Sequence, residues 1–146
     1  MPGSNPPRAL VGWRLLALAY DLLPVLALWF VVAAGFTAAH GDAVRGGALG
    51  LLEFAVLWAV AGAYATLSWR RGGQTIGMRA WRLRVTDAAG GAPGWRALWL
   101  RYLVGAIGLL AGGLGFWWAW IDRDRLAWHD RASGTRMRRI EKRAKA

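Results

Sequence analysis

Residues 15–39 read LLALAYDLLPVLALWFVVAAGFTAA, and this almost wholly apolar run decides the fold class of the chain. A helix of about 20 apolar residues crosses the hydrocarbon core of a bilayer, whereas the apolar region of a cleavable signal peptide has roughly 7–15 residues. The run is therefore predicted to form a first transmembrane helix. Pro24 lies inside this helix, and neighbouring helices in a membrane tolerate the kink that a proline introduces.

Two further apolar blocks follow this run. Residues 49–69 predict a second span, which ends at the basic pair Arg70 and Arg71. Residues 39–47 between the two spans form a short, exposed loop. Residues 98–121 are again apolar, except for Arg101.

Composition supports a membrane protein. The 146 residues are 56% hydrophobic, yet the net charge is +11, and the apolar and basic residues are segregated into separate blocks. Eleven Trp fit a chain that meets two membrane interfaces. The chain has no Cys, which excludes disulfides, thiolate metal sites and a Cys nucleophile. The basic residues adjoin apolar stretches and no nucleic-acid motif accompanies them, so we expect contact with anionic lipid headgroups and not with nucleic acid.

The distribution of basic residues predicts the orientation, because Lys and Arg prefer the cytoplasmic side. The loop after the second span carries six Arg, which places it and the N-terminus inside. The tail after the third apolar block carries nine Lys or Arg, so a single third span would put many positive charges outside. A turn at Gly112 and Gly113 would avoid this, with short helices at 97–111 and 114–126 that return to the cytoplasm. We favour this re-entrant arrangement over a plain third span.

A short strand is predicted in the second loop. Residues 81–86 alternate large apolar side chains with Arg or Thr, which is the period of a strand that covers an apolar surface. Residues 135–140 could pair with it if both lie on one side of the membrane. The predicted fold class is thus an all-α membrane protein with two transmembrane helices, a Gly-broken third apolar segment (re-entrant or two short helices) and a small cytoplasmic β-hairpin-like element.

Three stretches carry a family resemblance. The first is residues 13–21, WRLLALAYD; the second is residues 73–79, GQTIGMR, followed by LRV at 83–85; the third is DRDR at 122–125 with HDRASGT at 129–135. In this order around the apolar blocks, they resemble the RDD family of small integral membrane proteins, which is named for one Arg and two Asp. The resemblance covers residues 13–135, so the chain is predicted to consist of a disordered N-terminal segment (1–12), an RDD-like membrane domain (13–135) and a basic cytoplasmic tail (136–146).

The resemblance also implies which residues matter. Arg14 and Asp21 match the family's Arg and first Asp, and Asp130 matches the second Asp, with Asp122 as the rival. Met78 departs from the pattern, since a basic residue is expected there. Transport of unidentified ligands has been suggested for the family, but the resemblance implies no defined reaction.

Asp21 is the most informative single residue. A carboxylate inside a span costs about 2.5–3.5 kcal/mol on insertion scales, so it needs a partner or a task. Arg14 lies two helical turns away, a stretch for a direct ion pair, and we expect Asp21 to pair with Arg101 or a loop Arg instead. Asp21 is either a proton- or cation-accepting carboxylate in a pathway or a structural pair that holds the first helix to the third segment.

Other charged residues have similar alternatives. Glu53 could face Asp21 across a polar cavity or simply meet the interface. Arg101 is a charge in an apolar segment that needs a partner. His129 and Asp130 could form a proton relay, or a turn in which Asp130 caps the backbone or pairs with a loop Arg.

We find no pattern for catalysis, a metal or a cofactor, so we expect no enzyme activity. Small residues in the third segment permit close helix packing, which favours a homo-oligomer or a membrane-protein partner. Two functions are predicted for a bacterial inner-membrane protein: an oligomeric transporter of a small ion or solute that uses Asp21, or a scaffold that binds anionic lipid or a partner protein through its basic cytoplasmic face. The residues expected to contact lipid headgroups are Arg70, Arg71, Arg79 and Arg82.

Overall fold

The computed structural model describes residues 8–141 of the chain. Most of this part is helical, with a small two-stranded sheet. Much of the predicted disordered segment (residues 1–7) and the end of the predicted tail (residues 142–146) lie outside the described residues. The elements in chain order are α1 (Val11–His40), α2 (Gly47–Gly72), α3 (Ile76–Ala80), β1 (Leu83–Asp87), α4 (Trp95–Leu110), α5 (Leu114–Ile121), α6 (Trp128–Ser133) and β2 (Thr135–Arg139).

The two long helices confirm the two predicted apolar helices and extend them at both ends. α1 has 30 residues and α2 has 26, and both are long and apolar enough to cross a membrane. They are joined by a short loop that begins at Gly41, whose φ of 84° suits a residue without a side chain. Midway along, the Trp29 indole donates a hydrogen bond to the Leu57 carbonyl at 2.8 Å and ties the helices together.

The third apolar block is broken into two helices, as predicted. α4 and α5 meet at 97°, and the turn between them holds Gly112 and Gly113 at φ of 72° and 80°. The arms also approach closely beyond the turn, since a Cβ on Gly115 would lie 2.8 Å from the Gly108 Cα. The block is therefore a bent pair, and not one straight helix.

The predicted strand pairing is confirmed. β1 and β2 are antiparallel, with Leu83 opposite Arg139 and Asp87 opposite Thr135. The two strands are distant in sequence, so they form a two-stranded sheet and not a connected hairpin. β1 begins at Leu83, later than expected, because Arg82 takes a left-handed conformation (φ 56°) just before it.

The buried side chains gather at one end of the molecule. Those of α1 stop at Asp21, and those of α2 lie between Ala61 and Thr66. A cluster around Leu83, Val85 and Leu98 packs the inner face of β1 against α1 and the start of α4. The far halves of both long helices thus present apolar side chains outward, as helices in a bilayer do.

Candidate functional site

Asp130 lies at the centre of a buried ionic cluster. α6 holds it with no solvent exposure, and its two carboxylate oxygens accept from different arginines. The Arg14 guanidinium of α1 lies 2.6 Å from Oδ2, and that of Arg101 in α4 lies 2.5 Å from Oδ1. Oδ2 also accepts from the Ala127 amide and so caps its own helix. One carboxylate therefore joins α1, α4 and α6.

The cluster carries more positive than negative charge. Arg101 also donates to the Thr135 hydroxyl at 2.7 Å, and its guanidinium lies 5.4 Å from the centre of the Trp69 ring. Burial alone raises the pKa of Asp130, but the charges of Arg101 and Arg14 outweigh it and hold the pKa of this carboxyl well below its usual range. Asp130 is therefore an anion at every physiological pH.

His129 borders the cluster as a neutral ring. Burial and then the charge of Arg101 lower the pKa of His129 well below its ordinary value of 6.5. Arg14 donates to Nε2 at 3.3 Å, and because a guanidinium only donates, the ring proton belongs on Nδ1. Within residues 8–141, Nδ1 has no hydrogen-bond partner. This arrangement argues against a proton relay through His129, because the ring does not charge near neutrality.

Asp21 forms a second site, and the expectation that it pairs with Arg101 or a loop Arg is wrong. Its Oδ1 accepts from the Tyr64 hydroxyl at 2.7 Å and the Gly77 amide at 2.8 Å, and its Oδ2 accepts from the Thr75 hydroxyl at 2.5 Å. Asp21 makes no ion pair anywhere in the described part of the chain. Arg101 is unavailable, since Asp130 binds it.

The loop that reaches Asp21 depends on its glycines. Gly77 lies so close to α1 that a Cβ would stand 2.0 Å from the Ala17 carbonyl oxygen. Gly73 takes φ of 70° at the end of α2, and Thr75 caps α3 through the Met78 amide. The sequence 73–79 thus folds into a tight turn that presents two donors to one carboxylate.

The remaining predicted residues lie apart from both sites. Asp122 pairs with Arg131, and the Leu126 amide and Arg131 lower the pKa of the Asp122 carboxyl against the effect of burial. Glu53 is half-buried in α2, about 16 Å along the helix from Tyr64, and therefore does not face Asp21. It makes no ion pair within the described ranges. The four arginines predicted to contact headgroups are exposed, namely Arg70, Arg71, Arg79 and Arg82.

The residues that sequence reasoning missed are neutral. Tyr64 and Thr75 complete the Asp21 site, and Thr135 completes the Asp130 cluster. Thr75 and Thr135 stand inside the quoted family stretches, which is a signal that could have found them. Tyr64 lies within an apolar span, and its hydroxyl is the one sequence feature that could have marked it as a site residue.

A model described as the RDD family matches residues 8–134. The chain belongs to the RDD family. The match covers Arg14, Asp21 and Asp130 together, and with the two long apolar helices it indicates a membrane protein. No curated protein and no solved structure gives a significant match to the chain. The RDD chain brings Arg14 to Asp130, the residue matched to the second Asp, whereas the rival Asp122 binds Arg131.

Proposed function

We propose that this RDD protein is a multi-pass protein of the bacterial inner membrane with both ends of the chain in the cytoplasm. α1 and α2 are the spans, and α4 with α5 forms a re-entrant pair. The pairing of β1 with β2 supports this, because β1 follows α2, β2 follows α5, and paired strands lie on one side of a bilayer. The positive charge around these strands supports a cytoplasmic position for that side.

Helix lengths support a depth for Asp21 near the cytoplasmic edge of the core. α1 is about 45 Å long, longer than a hydrocarbon core of about 30 Å. About 20 residues counted back from the outer end at His40 bring the inner edge of the core to Asp21. The same count along α2 from Gly47 brings it to the turn that contains Tyr64. This count favours a position for the Asp21 site where the core meets the cytoplasmic headgroups.

We further propose that the protein is non-enzymatic and transports a small cation or a proton, with Asp21 as the carboxylate that binds and releases it. One observation carries this proposal: Asp21 is held by three neutral donors and, among the described residues, has no cationic partner. Carboxylate and hydroxyl oxygens are ligands for small hard cations, and a carboxylate without a counter-ion also accepts a proton. Asp130, in contrast, is neutralised by two arginines.

Occupancy of Asp21 would change the structure around it. The three donors come from α2, the 73–75 turn and α3. The positions of these elements therefore depend on whether the carboxylate is ionised and unoccupied. A proton or cation on Asp21 weakens its attraction for these donors and loosens the turn from α1. Binding is thereby linked to a movement, which a transporter requires.

An oligomer is part of this proposal. Two spans and a re-entrant pair are few for a pathway through one chain. The far half of α1, beyond Asp21, has no buried side chain and is free to pack against lipid or another copy. The small residues Gly108 and Gly115 pack against each other within the chain, so the apolar face of α1 is the surface that we assign to a second copy.

The test is flux through proteoliposomes that contain the full chain. A pH-sensitive dye and a Na⁺-sensitive dye report movement driven by an imposed gradient. Asp21→Asn keeps the shape but removes the charge, and it is expected to abolish flux while the protein still inserts and elutes at its normal size. Glu53→Gln is the matched control and is expected to transport normally. Full flux in Asp21→Asn would refute the role of this carboxylate.

A scaffold that binds lipid or an acidic partner is the second candidate. The exposure of four arginines around the end of α2 and α3 favours it, and these residues make no ion pair in the described part of the chain (Arg70, Arg71, Arg79 and Arg82). This role predicts no flux and binding that weakens as salt rises. Binding that is insensitive to salt would exclude it.

A further inference from the structure

The outer face of the sheet carries an unfavourable charge pair. Arg84 of β1 lies directly opposite Arg138 of β2 in the antiparallel register, and Arg136 lies on the same face two residues away. All three are exposed, and none makes an ion pair within residues 8–141. Like charges directly opposite each other destabilise a strand pair. Stability of the sheet therefore does not explain these arginines.

The sheet lies at the level of the headgroups in the proposed membrane arrangement. Trp81, just before β1, packs edge-on against Tyr20 at 5.7 Å, and Tyr20 adjoins the inner edge of the core at Asp21. At the end of β2, the Arg139 guanidinium lies 4.1 Å from the centre of the Trp13 ring. Trp13 is about 10 Å below Tyr20 along α1, and a headgroup layer is about 5–8 Å thick. The sheet thus begins in the layer where lipid phosphates lie.

We propose that the outer face of the sheet, formed by the exposed residues Arg84, Arg136 and Arg138, binds the phosphate groups of anionic phospholipids in the cytoplasmic leaflet. A phosphate between Arg84 and Arg138 accepts from both guanidinium groups, so the repulsion becomes a bridged contact. This inference rests on the proposed membrane arrangement, and it does not depend on transport.

Spin-labelled lipids test this site in vesicles that contain the full chain. The relative association constant of labelled phosphatidylglycerol over phosphatidylcholine is read from the immobilised fraction of each label. We expect a preference for phosphatidylglycerol that falls three- to tenfold in Arg84→Gln/Arg138→Gln. The control Arg45→Gln/Arg123→Gln removes the same amount of charge at other positions and should retain the preference for phosphatidylglycerol.

Three results would overturn the lipid site. Equal association of the two lipids with the natural sequence would show that anionic phospholipid is not the ligand. An unchanged preference in Arg84→Gln/Arg138→Gln would show that these arginines do not bind it. Displacement by inorganic phosphate, but not by KCl of the same ionic strength, would make free phosphate the ligand. Neutral detergent separates binding from misfolding, because there the double variant should melt at the same or a higher temperature. Flux that is normal in this variant but lost in Asp21→Asn distinguishes this site from the transport proposal.

Discussion

Arg14 lies 2.6 Å from the carboxylate of Asp130 in α6, and it makes no ion pair with Asp21, two turns away on its own helix. One face of α1 thus supplies a residue to each of two separate sites. The Asp130 cluster contains full charges that neutralise each other in part, whereas the Asp21 site contains one charge and neutral donors. The two aspartates therefore respond differently to substitution.

Asp130→Asn is expected to destabilise the protein strongly. It leaves the guanidinium groups of Arg14 and Arg101 buried without a counter-ion, and loss of one partner from a buried ion pair costs about 3–5 kcal/mol. Thermal unfolding in neutral detergent measures the loss. Asp124→Asn is the control, because Asp124 is exposed and its carboxylate lies as far as 3.7 Å from the Arg131 guanidinium. This substitution should change stability by less than about 1 kcal/mol.

A double-mutant cycle isolates the pair. Arg14→Gln/Asp130→Asn should cost clearly less than the sum of the two single substitutions, since Asp130→Asn leaves the Arg14 charge buried without its partner and Arg14→Gln removes that charge. Strictly additive losses would contradict direct coupling of Arg14 and Asp130.

Gly77→Ala is expected to displace the turn that binds Asp21. The new Cβ would lie 2.0 Å from the backbone oxygen of Ala17, which cannot move without a shift of α1. We expect a lower melting temperature together with impaired flux. Gly12→Ala is the matched control, because a Cβ at that exposed position meets nothing within 4 Å. A Gly77→Ala protein with normal stability and normal flux would mean that the tight contact is dispensable.

Tyr64→Phe removes one donor from Asp21 and leaves the aromatic ring. A hydrogen bond to a charged group contributes about 1.5–3 kcal/mol, so a loss of stability in that range is expected. Tyr20→Phe serves as the control, because Tyr20 is exposed and its contact with Trp81 is made by the ring. Equal effects of the two substitutions would show that the Tyr64 hydroxyl does not hold Asp21.

Stability is expected to fall as the pH drops from about 7 to 5. The pKa of His129 is lowered in the folded chain, so below pH 6.5 the unfolded chain binds a proton that the folded chain does not. The slope reaches at most about 1.4 kcal/mol per pH unit. The pKa of Asp130 is also lowered, but its contribution is lost only below its ordinary value of 3.8, outside this window.

His129→Gln should flatten this pH dependence, as measured by melting temperatures at several pH values. His40→Gln, at an exposed position at the end of α1, should leave it unchanged. An equal slope in His129→Gln and the natural sequence would assign the pH dependence to another group.

The absence of Cys makes the membrane topology directly testable. Single Cys residues at the exposed positions Ala43, Ala88 and Ala132 can be labelled from either side of the membrane with an impermeant reagent. We expect labelling of Ala43→Cys from outside, and of Ala88→Cys and Ala132→Cys from the cytoplasm. If the last two labelled on opposite sides, α4 and α5 would form a true span and the pairing of β1 with β2 would not survive in the membrane.

The sequence by itself determined the two long helices, the break at Gly112 and Gly113, and the strand that ends near Asp87. Each follows from a local pattern: a long apolar run, adjacent glycines, or the alternation of apolar and basic residues. The sequence also singled out Arg14, Asp21 and Asp130, because charged residues stand out against an apolar background and match the family stretches.

Only the tertiary structure decided which charges meet. The sequence predicted Arg101 or a loop Arg as the partner of Asp21, whereas the packing of α4 against α6 brings Arg101 to Asp130. Asp21 could then be satisfied by neutral donors, because the absence of a side chain at Gly77 lets the 73–77 turn approach α1. Ion pairing depends on distances between segments that are remote in sequence, and such distances are set by close packing, which no local pattern encodes.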